Sequence, residues 1–302
     1  MNVAVFDIGG TFVKHALINQ DGEIIEKGKL PTPKVEAQTN LLAEIQQMVS
    51  QYQLRGTIAA IGISSCGIIK NGQVLLSANI PGYTGFTIEK QLSERLSLPV
   101  YVENDVRCAG LGEMWKGSAV GKENFVLLTL GTGIGGAVVI DGKLIKGNNG
   151  FAGELGHMII EQEGRLCGCG AAGCYEQYAS TSALLRDYQK ESLDGKAISG
   201  EEYMLRLSQN DPIAITCYQR FIDYIVSGLV TIAHFINPES IIIGGGIIEN
   251  GDRLINDIRK TFENKVMTIY QSTTSIEAAV LKNDASIMGA AFLAFKSENM
   301  IE

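Results

Sequence analysis

Apolar positions along the chain fall into two copies of one pattern. The first copy starts at Val3. An apolar run, VAVF, is followed by Asp7, a Gly9-Gly10 turn, an alternating segment from Phe12 to Ile18, the pair Asp21-Gly22 and a third segment ending near Leu30. Continuous apolar runs mark buried strands, alternation marks a strand with one wet face, and Asp-Gly between two such segments marks a hairpin. The second copy is NFVLLTLGTGIGGAVVIDGKLIKG, residues 124–147: a buried strand, a glycine turn, a second strand, Asp141-Gly142 and a third strand. Helix-like and strand-like periodicities then alternate after each copy. In the first half they predict helix 38–52, strand 57–64, helix 87–96 and strand 99–103. In the second they predict helix 211–236, strand 240–244, helix 250–265, strand 275–279 and a closing helix 284–297. This is a duplicated α/β unit, read as two domains facing each other across a cleft. Residues 1–117, joined by the C-terminal helix 284–302, form the smaller domain, and residues 118–283 form the larger.

Composition narrows the class without changing it. The 302 residues suffice for two cores, and 45% apolar with 19% charged residues is an ordinary globular balance. A net charge of −8 with no Lys/Arg block offers nothing to a nucleic-acid backbone or an anionic bilayer, so neither is expected as a partner. The opening MNVAVFDIGG has no basic leader, and no apolar run approaches the ~18 residues of a spanning helix. The expected location is the cytoplasm.

Three of the six cysteines stand within LCGCGAAGCYEQ: Cys167, Cys169 and Cys174, with Gly168, Gly170 and Gly173 between them. In a reducing compartment a disulfide is disfavoured, and the spacing lacks the C-x-x-C of a redox pair. Three thiols aimed together by glycines make three-quarters of a tetrahedral zinc site, and His157 in GELGH is the histidine nearest in sequence. A closed Cys₃His site is structural, because it keeps no position open for water. A set of buried thiols in a glycine-rich loop and a redox pair are the alternatives. Cys66, Cys108 and Cys217 sit singly among apolar neighbours and read as core.

The glycine turns suggest what the protein holds. LGTGIGG, Leu130 to Gly136, resembles a dinucleotide fingerprint, but that motif opens a helix, and here a strand follows. No Walker A motif is present. What remains is two glycine turns at equivalent places in the repeat, one with Thr11 and one with Thr132, whose N–H groups suit phosphates. A third cluster, Gly244, Gly245 and Gly246, suits the flat face of an adenine ring. The strand VYVE delivers Asn104 and Asp105 at its C-terminal end, where ligands of open α/β sheets gather. Asp105 is a candidate proton acceptor, and Asn-Asp also suits a helix N-cap. Glu154, His157 and Glu176 flank the cysteine loop and form a set of acceptors and donors for vicinal hydroxyls.

With DIGGT (Asp7 to Thr11), END (Glu103 to Asp105), LGTGIGGA, GELGH and CGCGAAGCYEQYAS in order, the chain resembles the ROK family of repressors, uncharacterised reading frames and sugar kinases. That family is a branch of the hexokinase–actin-like ATPase fold with ribonuclease-H-like domains. The resemblance covers residues 3 to about 295 and implies an ATP- and Mg²⁺-dependent hexose kinase. By resemblance, Asp105 is the base toward a sugar hydroxyl, usually the 6-OH. Asn79 (in ANIPGYTGF), Asn104, Glu154, His157 and Glu176 meet the sugar. Gly9, Gly10, Thr11, Gly131, Thr132 and Gly133 hold phosphates, Asp7 helps to hold Mg²⁺, and Lys14 and Gly244–Gly246 complete the nucleotide set. The structural Zn²⁺ ligands correspond to His157, Cys167, Cys169 and Cys174, and a homodimer through the larger domain is implied. Many members carry Pro-Gly where this chain has Cys66-Gly67. The expected substrate is glucose or N-acetylmannosamine, with β-glucosides, fructose and allose as alternatives. A sugar-responsive regulator is the remote alternative, since such relatives carry a helix-turn-helix ahead of the first glycine turn and DIGGT here begins at residue 7.

Overall fold

Strand β1 (Asn2–Ile8) lies at the centre of a five-stranded sheet with β2 (Phe12–Asn19), β3 (Ile24–Pro31), β4 (Ile58–Ser65) and β7 (Val100–Asn104). The order is β3-β2-β1-β4-β7, antiparallel between β1 and β2 and parallel from β1 to β4 to β7. Helices α1 (Ala37–Gln53), α2 (Ile88–Leu96) and α3 (Asp105–Lys116) follow β3, the hairpin β5 (Ile68–Lys70)–β6 (Gln73–Leu76), and β7 in turn. A second sheet repeats the order with β8 (Phe125–Leu130), β9 (Ile134–Ile140), β10 (Lys143–Leu144), β11 (Ser240–Gly244) and β12 (Ser275–Ala278), arranged β10-β9-β8-β11-β12. Again β8 and β9 are antiparallel, and β8, β11 and β12 parallel. Helices α4 (Glu176–Ala179), α5 (Thr181–Glu191), α6 (Gly200–Ser208), α7 (Pro212–Ile236), α8 (Asp252–Lys265) and α9 (Thr268–Gln271) surround it, and α10 (Ala285–Ser297) closes the chain.

This computed structural model describes residues 1–193, 195–247 and 252–301. It divides into two units, Met1–Gly121 with Leu144–Ala152 and Asn283–Glu302, and Lys122–Lys143 with Gly153–Lys282. Each has its own apolar core: Phe6, Ile61, Ile63, Leu41 and Ile45 in one, Val126, Leu128, Ile243, Ile225 and Leu229 in the other. The longest helix, α7, starts with Pro212 in its first turn, and Asp211 Oδ1 accepts the N–H groups of Ile213 (2.8 Å) and Ala214 (3.1 Å). Helix α10 belongs to the first unit because small residues let it touch α3. A Cβ on Gly289 would lie 1.6 Å from the Cys108 carbonyl oxygen.

The sequence reading and the structure differ in a few places. The two-residue strand β10 is the weak copy of β3. The β5–β6 hairpin and α4, α5, α6 and α9 are not among the elements expected from the sequence. The predicted helix 250–265 is present from Asp252, and its positions 250 and 251 lie outside the described residues. Residues 118–121, 144–152 and 283, read with the larger domain, pack in the first unit. No helix among the described residues is long and apolar enough to cross a membrane.

Candidate phosphate, sugar and metal sites

Sheet register assembles the first group. Asp7 stands opposite Lys14 on β2 and Ser64 on β4, and both bond it: Ser64 Oγ donates to Asp7 Oδ1 at 2.7 Å, and Lys14 Nζ lies 3.3 Å from Oδ2. The Gly9–Thr11 turn follows directly. It closes with Gly9 N–H to the Phe12 carbonyl (3.0 Å) and is tied to β3's end by the Thr32 hydroxyl on the Gly9 carbonyl (2.7 Å), leaving Thr11 exposed at the tip. Lys34 also donates to the Gly10 carbonyl, which brings a second ammonium to this turn.

At the end of β7, Asn104 rather than Asp105 caps helix α3. Its Oδ1 accepts the N–H groups of Val106 (3.0 Å) and Arg107 (3.2 Å), while its Nδ2 donates to the Gly67 carbonyl (3.0 Å) and to Asp105 Oδ1 (2.9 Å). Asp105 Oδ1 also takes the Val106 N–H at 2.9 Å. The carboxylate keeps some accessible surface but is enclosed by protein on most sides. Burial, reinforced by the negative charge of Asp7, pushes it up to about 6 against the pull of these hydrogen bonds. The Cys66 N–H donates to the Ile8 carbonyl at 3.0 Å, a bond that a proline at this position would forgo.

In each unit a glycine turn abuts a candidate sugar residue. A Cβ on Gly10 would come within 3.2 Å of Asn79 Cβ. In the second unit a Cβ on Gly133 would come within 2.6 Å of Glu176 Oε2. The second turn closes with Gly131 N–H to the Gly133 carbonyl (3.0 Å), and Thr132 is exposed at its tip like Thr11. Gly245, with φ of 104°, packs on the Leu130 carbonyl, so the third glycine cluster borders the second turn. A cavity of about 470 Å³ opens there, lined by Thr181, Leu184, Ser199, Met204, Gly246 and Ile247 among others. Thr181 N–H donates to the Gly131 carbonyl at 2.8 Å.

The ligand atoms of His157, Cys167, Cys169 and Cys174 lie within 4.8 Å of one another. Cys169 Sγ is 3.5 Å from Cys174 Sγ, and Cys167 Sγ is 3.7 Å from His157 Nδ1. Tetrahedral zinc with bonds of about 2.0–2.3 Å sets its ligands about 3.5–3.8 Å apart, so the donor set fits that ion. All six cysteines are free thiols. Cys167 Sγ donates to Glu176 Oε1 at 3.1 Å, tying this group to the carboxylate beside Gly133. His157 directs Nδ1 at the cysteines, which leaves its Nε2 for another partner. Glu154 is exposed at the N-cap of the short turn Leu155–His157.

A family profile described as "ROK family" matches residues 3–297. The chain belongs to the ROK family. A glucokinase of Halalkalibacterium halodurans is 32% identical over 98% of this chain and 96% of its own length. A β-glucoside kinase of Listeria innocua is 31% identical over the whole of both chains. Among solved structures, a ROK family glucokinase from Streptomyces griseus in complex with glucose and AMPPNP is 30% identical, with a TM-score of 0.82 over 98% of this chain and 100% of that one. The duplicated sheets of this ROK chain are accordingly those of the hexokinase–actin-like ATPase fold.

Three features of this ROK chain escaped the sequence reading. Lys34 at the first turn had no local signal. The cavity walls from α5 and α6 had one: Ser180 and Ser199 cap those helices, accepting the N–H groups of Ala183 and Glu202 at 3.1 Å each. Arg107 lies inside α3, and only its tertiary partners distinguish it.

Proposed function

We propose that this ROK hexose kinase transfers the γ-phosphoryl group of ATP to the 6-hydroxyl of a free aldohexose, glucose or N-acetylmannosamine. One repeated adjacency supports it: Gly10 beside Asn79, and Gly133 beside Glu176, each pairing a phosphate-type turn with a hydroxyl-binding side chain. In this reading the turns at Gly9–Thr11 and Gly131–Gly133 grip phosphates through backbone N–H groups, with Lys14 near the first of them. The cavity beside Gly246 takes the nucleoside. Glu154, His157 and Glu176 receive the hydroxyls around carbons 1 and 2, and Asn79 and Asn104 receive others.

The sugar oxygen attacks the γ-phosphorus, the bond to the β-phosphate oxygen breaks, and ADP leaves with the electron pair. The hydroxyl proton passes to Asp105. The hydrogen bonds from the Asn104 amide and the Val106 N–H both fall on Oδ1, and in this reading Oδ2 faces the sugar hydroxyl. A carboxyl near 6 is ionised at neutral pH yet accepts a proton more readily than an ordinary aspartate. Mg²⁺, for which Asp7 is the candidate carboxylate, would neutralise charge on the phosphates. Structural zinc on His157 and the three cysteines would orient His157 and Glu176. A homodimer and a cytoplasmic location go with this reading.

An ADP-release assay with ATP and Mg²⁺ across glucose, N-acetylmannosamine, N-acetylglucosamine, mannose, fructose, allose and cellobiose tests it. The highest kcat/KM is expected with glucose or N-acetylmannosamine. Preference for cellobiose would transfer the assignment to β-glucosides, and no turnover with any sugar would overturn it. Gly133→Ala offers a second check, because its methyl must displace the Glu176 carboxylate. The variant is expected to stay folded and to raise the sugar KM about 10-fold, a loss on the order of 1.4 kcal/mol of binding. An unchanged sugar KM would remove Glu176 from the sugar site.

A further inference from the structure

We propose that Arg107 is a positioning residue for sugar binding, clamping residues 146–152 onto the strand–helix junction that carries Asn104 and Asp105. The proposal rests on the hexose kinase reading. Arg107 is only 3% exposed, although arginine is seldom buried without a full set of partners. Nη1 donates to Glu103 Oε1 at 3.2 Å, and Nη2 donates to the carbonyls of Gly150 (2.6 Å) and Ala152 (2.8 Å). Its backbone N–H joins the cap on Asn104 Oδ1.

Glu103, 2% exposed, works from the same point. Its Oε1 also accepts the Asn104 N–H at 2.9 Å, and its Oε2 takes Lys146 Nζ at 2.6 Å. The Ala152 N–H returns to the Lys146 carbonyl at 3.2 Å. The segment is therefore closed on itself and fastened at Lys146, Gly150 and Ala152 to the residues on either side of Asn104 and Asp105. Only Gly153 separates Ala152 from Glu154, a candidate sugar ligand. One guanidinium thus bears on the cap that aims Asp105 and on the segment fastened beside it. Misplacement of such groups by about an ångström weakens binding and turnover without touching the chemistry. Lysine cannot substitute, since a single ammonium does not span a carboxylate and two carbonyls in the fixed fork of arginine.

The test is Arg107→Lys in the full-length protein, which keeps a positive charge against Glu103. The sugar KM is expected to rise at least 10-fold while the ATP KM stays within about threefold. Amide exchange across residues 144–152 is expected to quicken more than 10-fold, with β8 unchanged. Should that variant fail to fold, Lys146→Met loosens the other end of the segment from a half-exposed position and is expected to give the same split at about threefold. Wild-type exchange over 144–152, or sugar and ATP KM rising together, would overturn the clamp. If the wild-type protein phosphorylates no sugar, the kinase reading falls, and the exchange measurement alone decides whether Arg107 clamps this segment.

Discussion

Asp105→Asn is expected to lower turnover by about 10³-fold and, at the same time, to raise thermal stability above pH 6. The loss follows from removing the group that takes the hydroxyl proton, a contribution of typically 10²–10⁴-fold. Sugar binding should survive within a few-fold, because the amide keeps an Oδ1 acceptor for Val106 and Asn104. The stability gain follows from the raised pKa. Burial and Asp7 lift Asp105 from 3.8 to about 6 in the folded protein, so the folded state binds this proton more tightly than the unfolded chain does. The group's contribution is fully present below about pH 4 and is lost as pH rises through about 6. Above that, the ionised carboxylate costs up to about 3 kcal/mol, less to the extent that its open oxygen stays hydrated. Melting curves of the two proteins are therefore expected to converge near pH 4 and to separate by several degrees at pH 7–8. The wild-type kcat/KM for the sugar should fall on the acid side with a midpoint near pH 6, since that parameter follows the free enzyme's groups. Equal stability at pH 8 together with unimpaired turnover would show that Asp105 is neither buried at cost nor the proton acceptor.

Loss of the metal is expected to have the second largest effect. Cys174 is fully buried, and its sulfur stands 3.5 Å from that of Cys169. Cys174→Ser is expected to bring zinc from about one ion per chain to near zero by elemental analysis, and to lower kcat/KM for the sugar by about 100-fold. The ATP KM should change less, since the turn beside Glu176 is closed by its own backbone, Gly131 N–H to the Gly133 carbonyl, and held by the Thr181 N–H on the Gly131 carbonyl, while the first glycine turn lies on a different sheet. The route is positional. The ion would anchor His157 through Nδ1 and hold the loop carrying Glu176, so its removal frees two hydroxyl-binding groups. Freshly purified wild-type protein with well under one zinc per chain would overturn the metal assignment, whatever the kinetics of the variant.

Much of the fold was legible because the repeat is written in local patterns. Apolar runs, alternation and Asp-Gly pairs define β1–β3 and β8–β9 without reference to anything distant. The cysteine spacing, the two glycine turns and the strand ending at Asn104-Asp105 are likewise local, and so the candidate residues could be named from the chain. The cap itself was open between two neighbours, Asn104 and Asp105. Tertiary contact resolved it, because the Gly67 carbonyl and Asp105 draw the Asn104 amide to one side and leave its oxygen for the helix.

The sequence by itself determined which residue types stand at the turns, at the strand ends and in the cysteine loop, because 2- and 3.6-residue periods and glycine punctuation are properties of neighbours along the chain. Only the tertiary structure decided that Asp7 shares its carboxylate with Ser64 and Lys14, that Asn79 adjoins Gly10, that Glu176 adjoins Gly133, and that a buried arginine in α3 gathers residues 146–152. Each of these depends on sheet register and on burial. Both are settled by segments dozens of residues apart meeting in space, and burial, with the charge of Asp7 brought near by the sheet, moved Asp105 from an ordinary carboxylate to one poised near neutrality.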